Sequence, residues 1–474
     1  MPDIVADYDA VADGGYEQLT LTIANGGTSL TRSAGAWPAD IALKGITIGG
    51  ADQFSAPFKQ TTVASRTNDL TIVLSGTAPS ALSGSSRLVC WGTDNKNAFL
   101  DLFGDYQDQT VEVTAPTGTF YISALSDPFG EGVANLTFVG AGSGATVLAC
   151  GSVQFGCQGV YQDNMHHARF ESASGGSLFV TLSTPSQISK FTVGGPALLT
   201  GIDLQGYGFP MNPHFFEWKT IAGLDTDSMS PTYGKVTFTS PLKQEYLSTW
   251  PHYNSGGAFA PDYGGPATLY APRLTWACVH RYSGFTFVQT LQAAGIGKDI
   301  TFADVVTVGG GIFPTQFDTF TYDTCNLSTA TVEVDKIGGT IRLIDTPVNV
   351  IQVQSSSIDL IALSGSTTVQ SQLGTPKKFT AGPGVTLESF ISAPNTYGRC
   401  DEISCNGAEI NEFAGGAAVD QGDGGAGINH TTGVSMTGGI ITFPNDYKTN
   451  GPIAWAIPGT NCRWSSENGW RGRN

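Results

Sequence analysis

The stretch that decides the fold runs from Gly92-Thr93-Asp94-Asn95-Lys96-Asn97-Ala98-Phe99, through Pro116-Thr117-Gly118-Thr119-Phe120-Tyr121-Ile122, to Gly140-Ala141-Gly142-Ser143-Gly144-Ala145-Thr146-Val147-Leu148. It opens with one short helix. Thr93 or Asp94 stands where an N-cap would, Ala98, Phe99, Leu102 and Phe103 form an apolar stripe, and Gly104 marks the stop. Short strands follow. Val111 and Val113 flank Glu112, a Pro-x-Gly turn intervenes, and Phe120, Ile122, Leu136 and Phe138 continue with period 2 between glycines. A helix with one face to bury, set ahead of a ladder of short strands, is the order of a capped β-solenoid.

Outward from there, residues 93–395 keep their strands short. Inward pairs are read at Phe285/Phe287, Ile300/Phe302, Phe320/Tyr322, Ile341/Leu343 and Ile358/Leu360. Counted from Phe285 to Ile300, Phe320, Ile341 and Ile358, the steps are 15, 20, 21 and 17 residues. A turn of parallel β-helix holds three short strands and their bends, so steps of about 20 residues suit one turn each. The competing fold is a β-sandwich with turns every 8 to 12 residues or so. The uneven period and the helix-first opening favour the coil. The same opening residues, in the same order, resemble the start of the pectate-lyase-like right-handed β-helix of phage tailspikes and related virion spikes, where a helix plugs the coil mouth. That resemblance implies an all-β, single-stranded, right-handed parallel β-helix on a virion or phage-like particle, synthesised in the bacterial cytoplasm.

Two flanking regions read differently. In residues 1–92, Leu19, Leu21 and Ile23 alternate with Thr20 and Thr22, Ile46 and Ile48 flank Thr47, and Leu70, Ile72 and Leu74 follow, with Asn25-Gly26-Gly27 and Gly49-Gly50 as turns. This predicts a small antiparallel β domain for attachment or capping. Its Asp40-Ile41-Ala42-Leu43-Lys44-Gly45-Ile46 resembles a segment of the N-terminal modules of phage β-helix spikes, which implies contact with other virion proteins. Residues 396–474 mix glycine runs with strand character at Gly439–Phe443 and Ile453–Ile457, and read as a separate β cap or the last irregular rungs.

Composition narrows the function. Gly 61 and Pro 24 in 474 residues, with only 13% charged, suit short strands over long solvated helices. The 23 basic and 40 acidic residues give a net charge of −17, which argues against nucleic acid or an anionic membrane as partner and suits a neutral polysaccharide. Neither an apolar run of membrane-spanning length nor a basic leader is read at Met1-Pro2-Asp3-Ile4, so assembly in a cytosol and no membrane insertion are expected. The eight cysteines lack paired zinc spacing and read as buried apolar side chains, with Cys400 and Cys405 close enough in sequence for a small bridge. Neither a metal nor a cofactor is expected. Gly140-x-Gly142-x-Gly144 leads into a strand, not the helix that a dinucleotide needs, and His166-His167 point to opposite faces of a strand.

Recognition residues concentrate in an insertion read at about 195–275, rich in Gly, Pro and aromatics. Tyr207, Trp218, Tyr246, Trp250, Tyr253 and Tyr263 offer ring faces for the C–H surface of a sugar, beside Asp203, Glu217 and Asp262. Glycoside hydrolysis needs two carboxyls, about 5–5.5 Å apart for retention or about 6.5–9.5 Å for inversion. Asp299 and Asp323 share the outer face of the ladder, but their offset puts them about 14 Å apart. Asp203, Glu217 and Asp262 are therefore the candidate catalytic carboxylates, ahead of Asp225 and Asp227, and Glu217 beside Trp218 is the one that apolar neighbours would push up. The resemblance to tailspikes implies a spike that binds host surface polysaccharide, capsule or O-antigen, with or without cutting it as an endoglycosidase. The alternative is a free polysaccharide lyase or glycoside hydrolase of the pectate-lyase-like fold, of which a lyase acting on uronates would show Ca²⁺ carboxylates and a basic cluster. A purely structural virion protein is the third reading. Wide faces of Thr, Ser and aromatic residues with few charges predict a homotrimer.

Overall fold

Alternating apolar residues let a strand bury one face, and a chain that bends after each such strand can stack on itself turn by turn. The longest sheet of this protein is built that way. The structure, a computed structural model, describes residues 1–51, 56–125, 128–156, 166–200, 216–243, 246, 267–271, 279–289, 293–315, 317–334, 339–353, 358–373, 378–388, 390–391, 402–405, 408–410, 433–436, 439–443 and 462–466. In the long sheet, His280 and Tyr282 lie against Ile300 and Phe302, then Phe320 and Tyr322, Ile341 and Leu343, Ile361 and Leu363, and Phe379 and Ala381, all in parallel register. All of these side chains are buried.

Two inward pairs differ from the sequence reading. Phe285 and Phe287 are buried but lie past a bend in Val279–Gln289 and pair with Val305 and Thr307, so the partner of Ile300 is His280. The apparent step of 15 disappears. On the rung at Leu360–Ser364 the buried residues are Ile361 and Leu363, while Leu360 is half-buried on the outer face. Ile358 misled because a buried residue in the preceding turn mimics period 2, and a slip of one residue exchanges the faces.

The bends are themselves periodic. Gly284, Asp304, Thr324, Asp345, Gly365 and Gly384 all have positive φ, from 48° at Asp345 to 85° at Gly384. Each lies two or three residues after an inward pair, so a left-handed residue turns the corner of each rung. Around the corner runs a second parallel sheet containing Leu327–Val334, Val348–Val353, Thr368–Leu373, Thr386–Leu387, Glu409–Ile410, Gly439–Phe443 and Cys462–Ser466. A third links Phe155–Gly156, Ala293–Ile296 and Ile312–Thr315. One apolar core lies between the sheets, continuous from Phe99 to Ala408. The all-β chain with large parallel sheets is consistent with a β-helix. The strands after residue 396 join these same sheets, as irregular last rungs. Ile453–Ile457, and the side chains of Cys400 and Cys405, lie outside the described residues.

The helix Lys96–Asp105 closes one end, burying Phe99, Leu102 and Phe103. Phe99 meets Phe129 at 4.8 Å between ring centres, and Phe129 meets Phe138 at 5.2 Å. The helix continues through Gly104, and its N-cap is Asn95 without a side-chain capping bond. The Asn95 amide is used elsewhere: it accepts from Val11 N–H at 2.6 Å and donates to Val11 O at 3.0 Å. Asp94 takes over part of the capping, accepting from Lys96 N–H at 3.2 Å.

Six strands between Gly15 and Gly92 close into a barrel with its own core around Trp37, Ile46, Ile72 and Val89. Residues 3–13 are not part of it. Ile4 and Ala10 belong to the coil core, and Asp3 and Asp13 pair in parallel with Thr114 and Thr119. The barrel is thus spliced into the coil mouth. Its two ends meet where the Thr93 N–H and hydroxyl each donate to the Asp13 carboxylate at 2.8 Å. Its flank packs Cys90 against Tyr121, Ala149 and Val288 on the outside of the long sheet, where Thr47 and Tyr121 share a hydrogen bond of 2.8 Å.

Candidate functional site at the junction of module and coil

Between Gly156 and Val279 the chain leaves the coil and builds an antiparallel six-stranded sheet. The insertion therefore begins well before residue 195. His166–Arg169 and Phe179–Thr181 belong to it, though as short alternating segments they read like further rungs. The module has a separate core containing Phe170, Leu182, Leu199, Ile221, Val236, Phe238, Tyr246 and Leu269.

Alternation along Phe216–Leu224 sends Glu217, Lys219 and Ile221 to that core and Trp218 to the opposite face. Glu217 Oε2 and Lys219 Nζ stand 2.8 Å apart, with side chains 3% and 2% exposed. Tyr246 donates its hydroxyl to Glu217 Oε1 at 3.1 Å, and Lys243 N–H donates to both carboxylate oxygens at 3.1 and 3.0 Å. Lys219 also donates to Pro241 O at 2.7 Å. Burial, with the Glu217 charge beside it, drives the Tyr246 phenol far above its ordinary pKa.

Lys243 carries the connection across to the coil. Its Nζ lies 3.3 Å from Asp318 Oδ1 and 3.4 Å from Asp359 Oδ2. Burial works against the charge of this ammonium, but the two carboxylates outweigh it and hold its pKa above the ordinary value. Asp318 and Asp359 each precede a strand of the long sheet, two rungs apart. Asp299, one rung before Asp318, has its carboxyl pushed up by burial and by the Asp318 charge, against the pull of Lys298.

The residues singled out from sequence fall into two groups. Glu217, Trp218 and Tyr246 are described, and all are buried: Trp218 is 4% and Tyr246 1% exposed. Glu217 is an ion-paired anchor, not an exposed acid, and neither ring offers a free face to solvent. Strand alternation caused the difference, since both sides of this sheet are covered. Asp203, Tyr207, Trp250, Tyr253, Asp262 and Tyr263 lie outside the described residues. Asp225 is structural: its Oδ2 accepts from Ser230 Oγ at 2.6 Å and Thr232 Oγ1 at 2.5 Å, and these bonds lower its pKa. Lys219, Lys243, Asp318 and Asp359 were missed. A signal existed, because Asp299, Asp318 and Asp359 all stand at or just before the start of a rung. Pairing Asp299 with Asp323 at the far end of the strand overlooked its nearer neighbour.

Among the described residues no group of His, Cys, Asp and Glu is arranged to hold a metal ion, and no helix is long and apolar enough to cross a membrane. No protein-family model matches the chain, and no curated protein matches its sequence. Among solved structures, the tailspike protein gp49 of Pseudomonas phage LKA1 is distantly similar, with a TM-score of 0.35 and 11% identity over 78% of this chain and 72% of that one.

Proposed function

We propose that the chain is a virion spike, a right-handed single-stranded parallel β-helix whose inserted module recognises a bacterial surface polysaccharide, capsule or O-antigen. The observation that carries this reading is the module: a separately cored antiparallel sheet, inserted between rungs and pinned to the coil by Lys243. Recognition is commonly placed on segments that a rigid scaffold holds out from its surface. Tyr207, Trp250, Tyr253 and Tyr263 of the same insertion are the proposed stacking residues, with Asp203 and Asp262 from the same stretch of sequence. In this reading the barrel attaches the spike to other virion proteins, and three chains pack side by side.

A second reading, cleavage of the bound chain, is favoured by Asp299. Its carboxyl pKa is raised by burial and by the nearby Asp318 charge, which is one property of a glycosidase acid. Incubation with purified capsule and O-antigen preparations, followed by sizing of the sugar, tests both. Bound but intact chains support an adhesin. Shortened chains that disappear with Asp299→Asn support the hydrolase. A protein that neither binds nor shortens any of them, and whose removal leaves particle attachment unchanged, is structural.

A further inference from the structure

The inserted sheet closes on itself. Its strands are His166–Arg169, Phe179–Thr181, Pro196–Thr200, Phe216–Leu224, Lys235–Phe238 and Thr268–Ala271, and an antiparallel bridge from Phe170 to Leu182 joins the first to the second. Numbered along the chain, the order around this barrel is 1-2-5-4-3-6, with every pair antiparallel. The barrel between Gly15 and Gly92 has the same order. Register matches too. Ser29, Leu30 and Thr31 face Val73, Ile72 and Thr71 as Phe179, Val180 and Thr181 face Thr237, Val236 and Lys235. Ile46, Thr47 and Ile48 face Thr61, Gln60 and Lys59 as Ala197, Leu198 and Leu199 face Lys219, Trp218 and Glu217. Both fourth strands bulge at the same place, just after Val63 and just after Ile221. Leu43 and Gly194 have positive φ in equivalent turns, and their N–H groups donate to Val63 O and Ile221 O. The closing seam differs, the sixth strand sliding two residues along the first. Register and bulges are specified by sequence and kept within families, so two unrelated barrels have no reason to share them.

The common register also defines a common flank. Ile46, Ile48 and Val89 line the first core, and Ala197, Leu199 and Leu269 line the second. Alternation therefore turns the facing pair Thr47 and Cys90, like the facing pair Leu198 and Tyr270, to the outside of its barrel. A lone barrel would leave all four in water, yet all four are buried. In the first barrel the cover is the coil: Cys90 packs on Tyr121, Ala149 and Val288, and Thr47 bonds the Tyr121 hydroxyl. The second barrel is more apolar on this flank. Leu198 stands where the first has Thr47, and buried Trp218 where it has exposed Gln60. Its chain leaves the coil after Gly156, paired with Ile296, and rejoins it at Val279, paired with Asn135, while Lys243 reaches Asp318 and Asp359.

We propose that the chain carries one coil-docking barrel twice, and that the inserted copy seats Leu198, Trp218 and Tyr270 on the outside of the coil as the first copy seats Thr47 and Cys90. The flank is thus an interaction surface whose partner is the parallel coil of the same chain. This holds whether or not the module binds a sugar. The test is photo-cross-linking of the full chain with p-benzoylphenylalanine in place of Leu198, the adduct being located by digestion and mass spectrometry. The same probe in place of Leu88, on the flank of the first copy, is the reference. Leu88 lies against Gly309, so that probe should join Asp299–Gly309. From position 198 the expected adduct is to the coil, within residues 93–156 or 279–391. Adducts confined to residues 157–278, a cross-linked dimer, or no adduct while position 88 reacts would each overturn the docking. Should the loss of buried Leu198 disturb folding, the probe replaces Thr220, half-buried on the same outer face of the fourth strand, and the same outcomes decide.

Discussion

Thr324 turns its rung in a left-handed conformation, with φ at 55°, where a β-branched side chain costs about 1–2 kcal/mol more than glycine. It is exposed, so little packing is lost with the side chain. Thr324→Gly should therefore raise stability by up to about 1 kcal/mol, read as a higher urea midpoint with an unchanged slope. Gly284, at the equivalent corner, predicts the reverse. A Cβ there would stand 2.7 Å from Gly140 O, and Gly284→Val should cost several kcal/mol, on the order of a disrupted core. Asp299 gives a pH test. Its folded carboxyl binds a proton more tightly than an unfolded one, which titrates near pH 3.9 or so. The folded state is consequently penalised above the folded pKa and not below the unfolded one. Asp299→Asn should stabilise at pH 7, with the gain vanishing by about pH 3.5 in acid-to-neutral denaturation series. A gain that persists at low pH would refute this account.

At the scale of elements, the ion pair inside the module makes the sharpest prediction. Glu217→Ala leaves the Lys219 ammonium buried and uncompensated, which costs about 3–5 kcal/mol, whereas Glu217→Ala with Lys219→Met should recover most of it. Differential scanning calorimetry should show the single variant losing stability in the module while the coil transition holds. If the double variant is no better than the single, the cost lies in packing. The elements also show how much the sequence disclosed. The helix stripe of Phe99, Leu102 and Phe103 and the ladder from Ile300 to Leu343 were legible because each buries one face with a fixed period. The barrel's closure, the true start of the insertion and the last rungs were not. Antiparallel and parallel strands carry the same alternation, and only long-range pairing separates His166–Arg169 in the module from Thr319–Asp323 in the coil. The junction was hidden for a related reason: Lys243 and Asp318 are 75 residues apart, and Glu217 looks like any other surface glutamate until its strand is known to be covered on both sides.

For the whole molecule, side-by-side assembly is the proposal that light scattering decides. The outer face of the long sheet presents in register Arg281, Thr301, Thr321, Arg342, Ala362 and Thr380, so small half-buried side chains alternate there with two exposed arginines. A trimer mass at micromolar protein is expected, and a monomer mass refutes it. The splicing of the barrel into the coil mouth carries one more consequence. A domain hung on a single linker can swivel, because one chain crossing resists only extension. Here Gly14 N–H binds Thr119 O at 2.9 Å on the way in, Asn95 N–H binds Tyr121 O at 2.9 Å on the way out, and Thr47 bonds Tyr121 from the barrel's flank. Three points of attachment to the strand Gly118–Ile122 fix orientation as well as distance. The joint therefore transmits torque: any rotation imposed on the barrel turns the coil with it.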